Sequence, residues 1–421
     1  MTVVDRYQFI RDCRGYYESN SNKDEEKFSF NIASLPHEVT DRIIDFLWDD
    51  QRTLYSCALT CHAWLPRSRF VMYHNIRIRE GHSFDAFVRV LQLPHLQHLF
   101  SNTLFLEVKW WARYETTHSW THLFPLAFGR RFSNVTDLKI RGMNWINNSP
   151  SLNIFTLGFS QLTRVVTLDL DQCMFHTFRE LQRLLCAFPN IRNLHVINLR
   201  LESDLPPNSS QEFYVRGPSP ITLHLTSLIT TLGACSSLHQ WLCNTPSVES
   251  LSMLSIGGSN KDFEFAAADG LLRAVGGVLR DLYLNLWNSL QYEPFTQRHS
   301  LSACSNLKFL ALSFYYFSNN VGTHLYRLLG TISSDTRLTR LRFTFHLPLE
   351  TDTAYLANMQ GIEEILAQEH FHDLAIVDIH VEYFKGCPDL TRMNQEIKKL
   401  LSGLFPPSVQ LNFQATITKS L

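Results

Sequence analysis

The sequence predicts an α/β protein in two parts: a small N-terminal three-helix packet, then an irregular repeat solenoid with a parallel sheet along its concave face. Three observations carry that expectation. A pattern of apolar-x-x-apolar-x-apolar recurs from residue 135 to residue 379. Between its copies lie apolar residues at helical spacing, such as Phe178, Leu181, Leu184, Leu185 and Phe188. Upstream, residues 34–73 carry helix-start signals.

Residues 1–30 contain the polar run SNSNKDEEK and read as a mobile tail, although Tyr7, Phe9, Tyr16 and Tyr17 leave open that part of it packs back on the body. Residues 31–75 form the packet. Pro36 suits a helix start, where its missing N–H costs nothing, and Glu38 and Asp41 favour the positive end of the helix. Val39, Ile43, Ile44 and Leu47 then share one apolar stripe. Asp49 and Asp50 break the stripe, Asp50 is placed to cap a second helix carrying Leu54, Cys57, Ala58 and Cys61, and Pro66 opens a third. Three helices in so short a span supply little core for independent stability.

At Leu35-Pro36, Glu38-Val39, Ile43-Ile44, Leu47, Leu54, Cys57, Cys61 and Trp64 this stretch resembles the F-box. Its spelling, LPHEVTDRIIDFL followed by CALTCHAWLPRSR, is similar to that of the F-box families of mushroom-forming fungi. The resemblance implies docking on the Skp linker subunit of a cullin-RING ubiquitin ligase, with Leu35, Pro36, Glu38, Val39, Ile43, Leu47 and Trp64 as linker-binding residues. One physical point agrees: a packet this small, with Leu35, Pro36, Val39 and Ile43 on its surface, makes sense if a partner supplies the missing burial.

After the packet, YHNIRIR reads as a strand and Phe84 to Leu91 as a helix. Residues 76–392 are then assigned to the repeats. The clearest copies are Val135, Leu138, Ile140; Val165, Leu168, Leu170; Ile191, Leu194, Val196; Val248, Leu251, Met253; Leu279, Leu282, Leu284; Leu307, Leu310, Leu312; Leu338, Leu341, Phe343; and Leu374, Val377, Ile379. A weaker copy has Leu225, Leu228 and Thr230, and Leu96 with Leu99 would begin the series. Central positions stand 23 to 36 residues apart, about 30 on average. The stretch from Val165 through Leu168 and Leu170 to Cys173 and Phe175 resembles a leucine-rich repeat, cysteine position included, though the uneven spacing departs from the ribonuclease-inhibitor type. One-sided units must stack to bury their apolar face, which implies a right-handed solenoid. Residues 202–222 and 257–270 read as projecting loops, either connectors or part of a binding surface. Residues 393–421, with a helix over Met393 to Leu404 and a closing strand in SVQLNFQATI, read as a C-terminal cap.

Composition narrows the function. There are 38 Lys and Arg against 39 Asp and Glu, for a formal net charge of −1, so no global field draws the chain to nucleic acid or an anionic membrane. Apolar runs such as FLALSF fall far short of the ~20 residues that span a bilayer. Nine cysteines without any C-x-x-C fit reduced thiols, and a soluble cytoplasmic or nuclear protein follows. No phosphate loop, nucleophile elbow or zinc-protease helix is present, and the pairs His118/His122, His95/His98 and His370/His372 lack a third ligand at metal spacing. The expectation is therefore no catalytic residue, no metal and no cofactor.

If binding is the function, the residues between the apolar positions face outward on the concave sheet. Candidate substrate-binding residues are Lys139, Arg141, Asp169, Asp171, His195, Tyr283, Phe309, Arg340, Arg342 and His380, with Ser250 and Ser252 on the same face. Acidic residues early in the array and arginines late in it favour a partner of opposite polarity. The reading is an adapter that joins a protein substrate to the Skp linker and, through it, to cullin. The alternative is a non-ligase scaffold or ligand sensor on the same repeats.

Overall fold

The computed structural model describes residues 36–79, 81–93, 97–109, 120–145, 152–202, 223–231, 235–257, 262–286, 293–314, 321–347, 362–368, 371–384, 395, 399 and 409–418. The chain divides into two compact units, Met1–Val71 and Met72–Leu421. The N-terminal tail, residues 203–222 and nearly all of the helix expected over Met393 to Leu404 lie outside the described residues.

The first unit is built on α1 (His37–Phe46), α2 (Gln51–Thr60) and the start of α3 (Leu65–His74). Pro36 is the residue before α1, and Asp50 caps α2 by accepting the Thr53 N–H at 3.1 Å and the Thr53 hydroxyl at 2.6 Å. Those bonds hold its carboxyl below the usual carboxylate range. Arg67 reaches back to Asp45 with Nε–Oδ1 2.7 Å and Nη2–Oδ2 2.6 Å, a two-pronged tie between α3 and α1. Inside lie Ile44, Leu54, Cys57 and Val71. The expected stripe on α1 splits, because Ile44 turns inward with Thr40 while Val39 and Ile43 stay exposed.

In the second unit β1 (Asn75–Ile78) follows α3 directly. Then come α4 (Gly81–Leu91), α5 (Gln97–Phe100), β2 (Phe105–Lys109), α6 (Trp120–Phe128), β3 (Asp137–Arg141), α7 (Leu152–Ser160), β4 (Thr167–Asp171), β5 (Met174–Phe175) and α8 (Phe178–Cys186). The chain continues through β6 (Asn193–Ile197), β7 (Arg200–Leu201), β8 (Ser227–Thr231), α9 (Ser236–Leu242), β9 (Met253–Gly257), α10 (Asp262–Val275) and β10 (Asp281–Leu286). It closes with α11 (Glu293–Gln297), β11 (Phe309–Phe314), α12 (Val321–Leu329), β12 (Arg340–Leu347), α13 (Ile362–Leu366), β13 (Ile376–Phe384) and β14 (Gln410–Thr418).

All strands except β5 and β7 join one parallel sheet of 12 strands, ordered as in the sequence with those two left out. Its register runs unbroken through Ile76, Leu106, Leu138, Leu168, Leu194, Leu228, Leu254, Leu282, Leu310, Leu341, Val377 and Leu411. Most of that row is fully buried, together with Leu181, Leu184 and Leu185 of α8 and Leu325, Leu328 and Leu329 of α12. Each buried leucine is worth about 2 kcal/mol in transfer alone.

At every step from β2 to β13 one carbonyl accepts two successive N–H groups from the next strand's start. Leu104 O serves Thr136 and Asp137, and Thr136 O serves Val166 and Thr167; the pattern continues as far as Thr339 O with Ala375 and Ile376. Side chains reinforce it. The hydroxyls of Thr136, Thr226, Ser252 and Thr339 donate to carbonyls of the preceding repeat, and the amides of Asn134, Asn190 and Asn306 bond the carbonyls of Ser101, Thr163 and Gly277. None of these polar positions belongs to the apolar pattern.

Three expectations need correction. The repeat placed at Val248, Leu251 and Met253 is in fact Leu251, Leu254 and Ile256: Val248 lies in a short 3-10 turn (Pro246–Glu249), and Met253 faces away from the core. The pattern fits this segment in two overlapping frames, and only pairing with Leu228 selects the second. Ser250 and Ser252 therefore leave the candidate face in favour of Met253, Ser255 and Gly257. Second, the series begins at Ile76 and Leu106 rather than at Leu96 and Leu99. Third, residues 262–270 are helix, not loop, because Phe265, Ala268, Leu271, Leu272 and Val275 recur at helical spacing and are buried. Gly276 sits where this repeat meets the next. A Cβ there would lie 2.2 Å from the Ala303 carbonyl oxygen, so only glycine allows that approach.

Candidate functional site

Two surfaces are candidates, one on each unit. On the helical packet, Pro36 and Glu38 are exposed at the start of α1, Val39 and Ile43 are each 42% exposed, and Leu47 and Trp64 are half-buried at the ends of their turns. Leu35 lies outside the described residues. The reading of the stripe missed three larger groups: Phe46 and Leu59 are each 70% exposed, and Tyr55 is 61% exposed. Val39, Ile43 and Phe46 follow at offsets of four and seven on one face of α1, and Tyr55 and Leu59 pair at an offset of four on α2. The signal was the Phe46 that follows Ile43 by three positions.

The second surface is the sheet face turned away from the core. Its early strands carry a closed set of ion pairs. Arg77 Nε lies 3.5 Å from Glu107 Oε2, Arg141 bridges Glu107 (3.3 Å) and Asp171 (3.1 Å), and Lys139 pairs with Asp169. The expected separation of acidic and basic ends therefore does not hold. Asp169 and Asp171 lie in register with Lys139 and Arg141 one strand away, and the charges cancel locally. His195 follows in the same row as Lys139 and Asp169; burial lowers its pKa, with Asp169 opposing and Lys139 adding to that effect.

The late strands differ. Phe309 is only 8% exposed, against the expectation of an open surface residue. It faces away from the core, but Tyr283 meets it edge-on at 5.1 Å and the guanidinium carbons of Arg340 and Arg342 lie over its ring at 5.6 and 5.3 Å. Asp378 accepts from Arg340 Nε at 2.6 Å, Arg342 Nη2 at 3.4 Å and Asn412 at 3.0 Å. Burial opposes its charge, but the bonds from Arg340 and Asn412 and the two guanidinium charges outweigh that and hold the carboxyl below the usual range. His380 lies nearby, its pKa lowered by burial and by Arg342. Burial also raises the Tyr283 phenol, which stays neutral. The geometry brings Tyr283, Phe309, Arg340, Arg342 and His380 together; Lys139, Arg141, Asp169, Asp171 and His195 form a separate group.

Among the described residues Cys61 is exposed, and the buried thiols carry no reactive signature. Cys57, Cys173, Cys235 and Cys304 are buried, and burial pushes Cys304 up to about 12 and Cys186 up to about 11. Among the described residues no group of three His, Cys, Asp or Glu side chains could hold a metal ion, and no helix is long and apolar enough to cross a membrane.

The second unit thus has the architecture of a leucine-rich-repeat protein: each repeat gives one strand to the main sheet, all parallel, with a leucine row beneath. No protein-family model matches the chain, and no curated protein matches it. Among solved structures, the leucine-rich repeat-containing protein LegL7 from Legionella pneumophila is similar at 18% identity with a TM-score of 0.42, over 69% of this chain and 87% of that one. A chain of the yeast Rad7 and Elc1 complex is similar at 11% identity with a TM-score of 0.32, over 98% of both chains.

Proposed function

We propose that the chain is a substrate-recognition adapter of an SCF-type cullin-RING ubiquitin ligase, acting in the cytoplasm or nucleus. Its helical packet docks on the Skp linker, and its repeats hold a target protein. The observation that carries this is the outward apolar stripe of Val39, Ile43 and Phe46, with Tyr55 and Leu59, on a packet whose spelling resembles an F-box. Few of the described side chains of this unit are buried while a phenylalanine and a leucine are 70% exposed, which supports a partner that completes the burial. The adapter performs no bond chemistry. It acts by raising the local concentration of substrate lysines beside the ubiquitin-conjugating enzyme.

The test is co-purification with a Skp linker. Leu35→Ala with Pro36→Ala, and separately Phe46→Ser with Leu59→Ser, are expected to abolish linker binding while leaving the melting of the repeats unchanged. If purified wild-type protein binds no Skp linker, the proposal falls and a scaffold or ligand sensor on the same repeats takes its place.

A further inference from the structure

The open face of the sheet is not electrostatically uniform, and the difference points to one corner. In β1 to β4 Arg77, Lys139 and Arg141 face Glu107, Asp169 and Asp171 within ion-pair reach, and Lys109 and Asp137 on the same face add one charge of each sign. In β12 and β13 two guanidiniums share one carboxylate, because Arg340 and Arg342 both reach Asp378 Oδ2 and its other oxygen is taken by Asn412. Within this cluster, among the described residues, one positive charge is therefore left over. Two other acids of the face stand further off: Glu382 lies four residues along β13 from Asp378, in register with His346, and Asp281, in register with Phe309, has Arg280 as its charged neighbour.

The spare charge is also held in place. Both guanidiniums lie over the Phe309 ring, which limits their rotation and reduces the ordering cost of binding. Arg340 keeps 42% of its side chain accessible. Phe309 and Ala311 are buried beneath this corner, and the half-buried Tyr283 against the edge of the Phe309 ring supplies the apolar surface beside the charge.

Resting on the reading of the repeats as a substrate holder, we infer that the corner formed by Tyr283, Phe309, Arg340 and Arg342 takes an acidic peptide segment, an Asp or Glu side chain of the target flanked by an apolar residue. A carboxylate brings one negative charge and two coplanar acceptors, which match one uncompensated guanidinium fork. A phosphate brings close to two charges and would leave one unmatched. A nucleic acid would need a run of cations, and the paired strands β1 to β4 do not supply one.

The experiment selects from a library of short peptides with blocked termini on the full chain. The Skp linker is assayed separately on the same preparation. The expected result is enrichment of Asp or Glu beside an apolar residue. Replacing that acid by its amide should weaken binding about tenfold or more. Arg342→Gln should remove the discrimination, Arg77→Gln should leave it intact, and Asp378→Asn, which frees the second guanidinium, should tighten binding. A merely structural role would weaken binding in both the Arg342 and Asp378 variants. Arg342→Lys, which keeps the charge and loses the fork, covers the case in which Arg342→Gln fails to fold. A library without acidic enrichment, equal binding of acid and amide, or a preference for phosphoserine overturns the inference. Peptide selection without linker binding would instead sink the ligase proposal and leave this site standing.

Discussion

The helical packet and the repeat array handle apolar surface in opposite ways. In the array Leu138, Leu168, Leu194, Leu228, Leu254, Leu282, Leu310 and Leu341 line up inside the sheet at no more than 1% exposure, while the alternate positions carry polar groups such as Lys139 with Asp169 and Arg342 with Asp378. In the packet Ile44 and Leu54 are buried, but Phe46, Tyr55 and Leu59 point to solvent. Neighbouring repeats bury each other's apolar surface; among the described residues nothing covers Phe46, Tyr55 and Leu59 in this way. The same residue types therefore mark stability in one region and recognition in the other.

That contrast can be broken by substitution. The largest effect is expected at the leucine row: Leu310→Ala should cost about 3 kcal/mol in denaturant unfolding, as a buried leucine truncated among rigid neighbours does. A second effect of similar size comes from acid. His239 is fully buried, its Nε2 3.0 Å from Thr230 Oγ1, and burial drives its pKa down from 6.5 to about 4. The folded state then binds fewer protons than the unfolded chain between those values. Stability is full above 6.5 and falls as pH drops towards 4, by about 3 kcal/mol in all. Replacing His239 by Gln should flatten that part of the pH profile; an unchanged profile would exclude His239 as its source.

Gly276→Ala should cost about 1 to 3 kcal/mol, since the new methyl meets a backbone oxygen that cannot swing aside. Smallest of all, Phe46→Ser should change stability by less than about 0.5 kcal/mol while reducing linker capture sharply. If Phe46→Ser destabilised the packet as much as Leu310→Ala destabilises the array, the division of roles between the two regions would collapse.

The array was legible because its signal is periodic and one-sided. Leu138, Leu168, Leu282, Leu310 and Leu341 were identifiable from spacing alone, and so was the capping role of Asp50. What spacing left hidden has a physical cause in each case. At Leu251 two frames satisfy the pattern, and a one-strand view offers nothing to choose between them. The ties made by Asn134, Asn190 and Asn306 end on backbone carbonyls, which have no sequence signature. Which residues face away from the core could be read from the alternation along most strands, Ser250 and Ser252 excepted, but the electrostatics of that face depend on which side chain stands opposite which. Lys139 beside Asp169, and Arg342 beside Asp378, are facts of register across 30 or more residues of intervening chain. Phe309 looked exposed for the same reason, since the groups that cover it arrive from β10 and β12.

The ladder of shared carbonyls has a mechanical consequence. Each strand is tied only to the strand before and the strand after, by bonds lying across the strands. Tension applied between the outermost strands would load those bonds one row at a time, so the sheet should yield by peeling single repeats from its ends rather than by shearing as a block. Force spectroscopy would then record a series of small extensions near constant force. A single high rupture would mean that the repeats are bound together by something other than their neighbours.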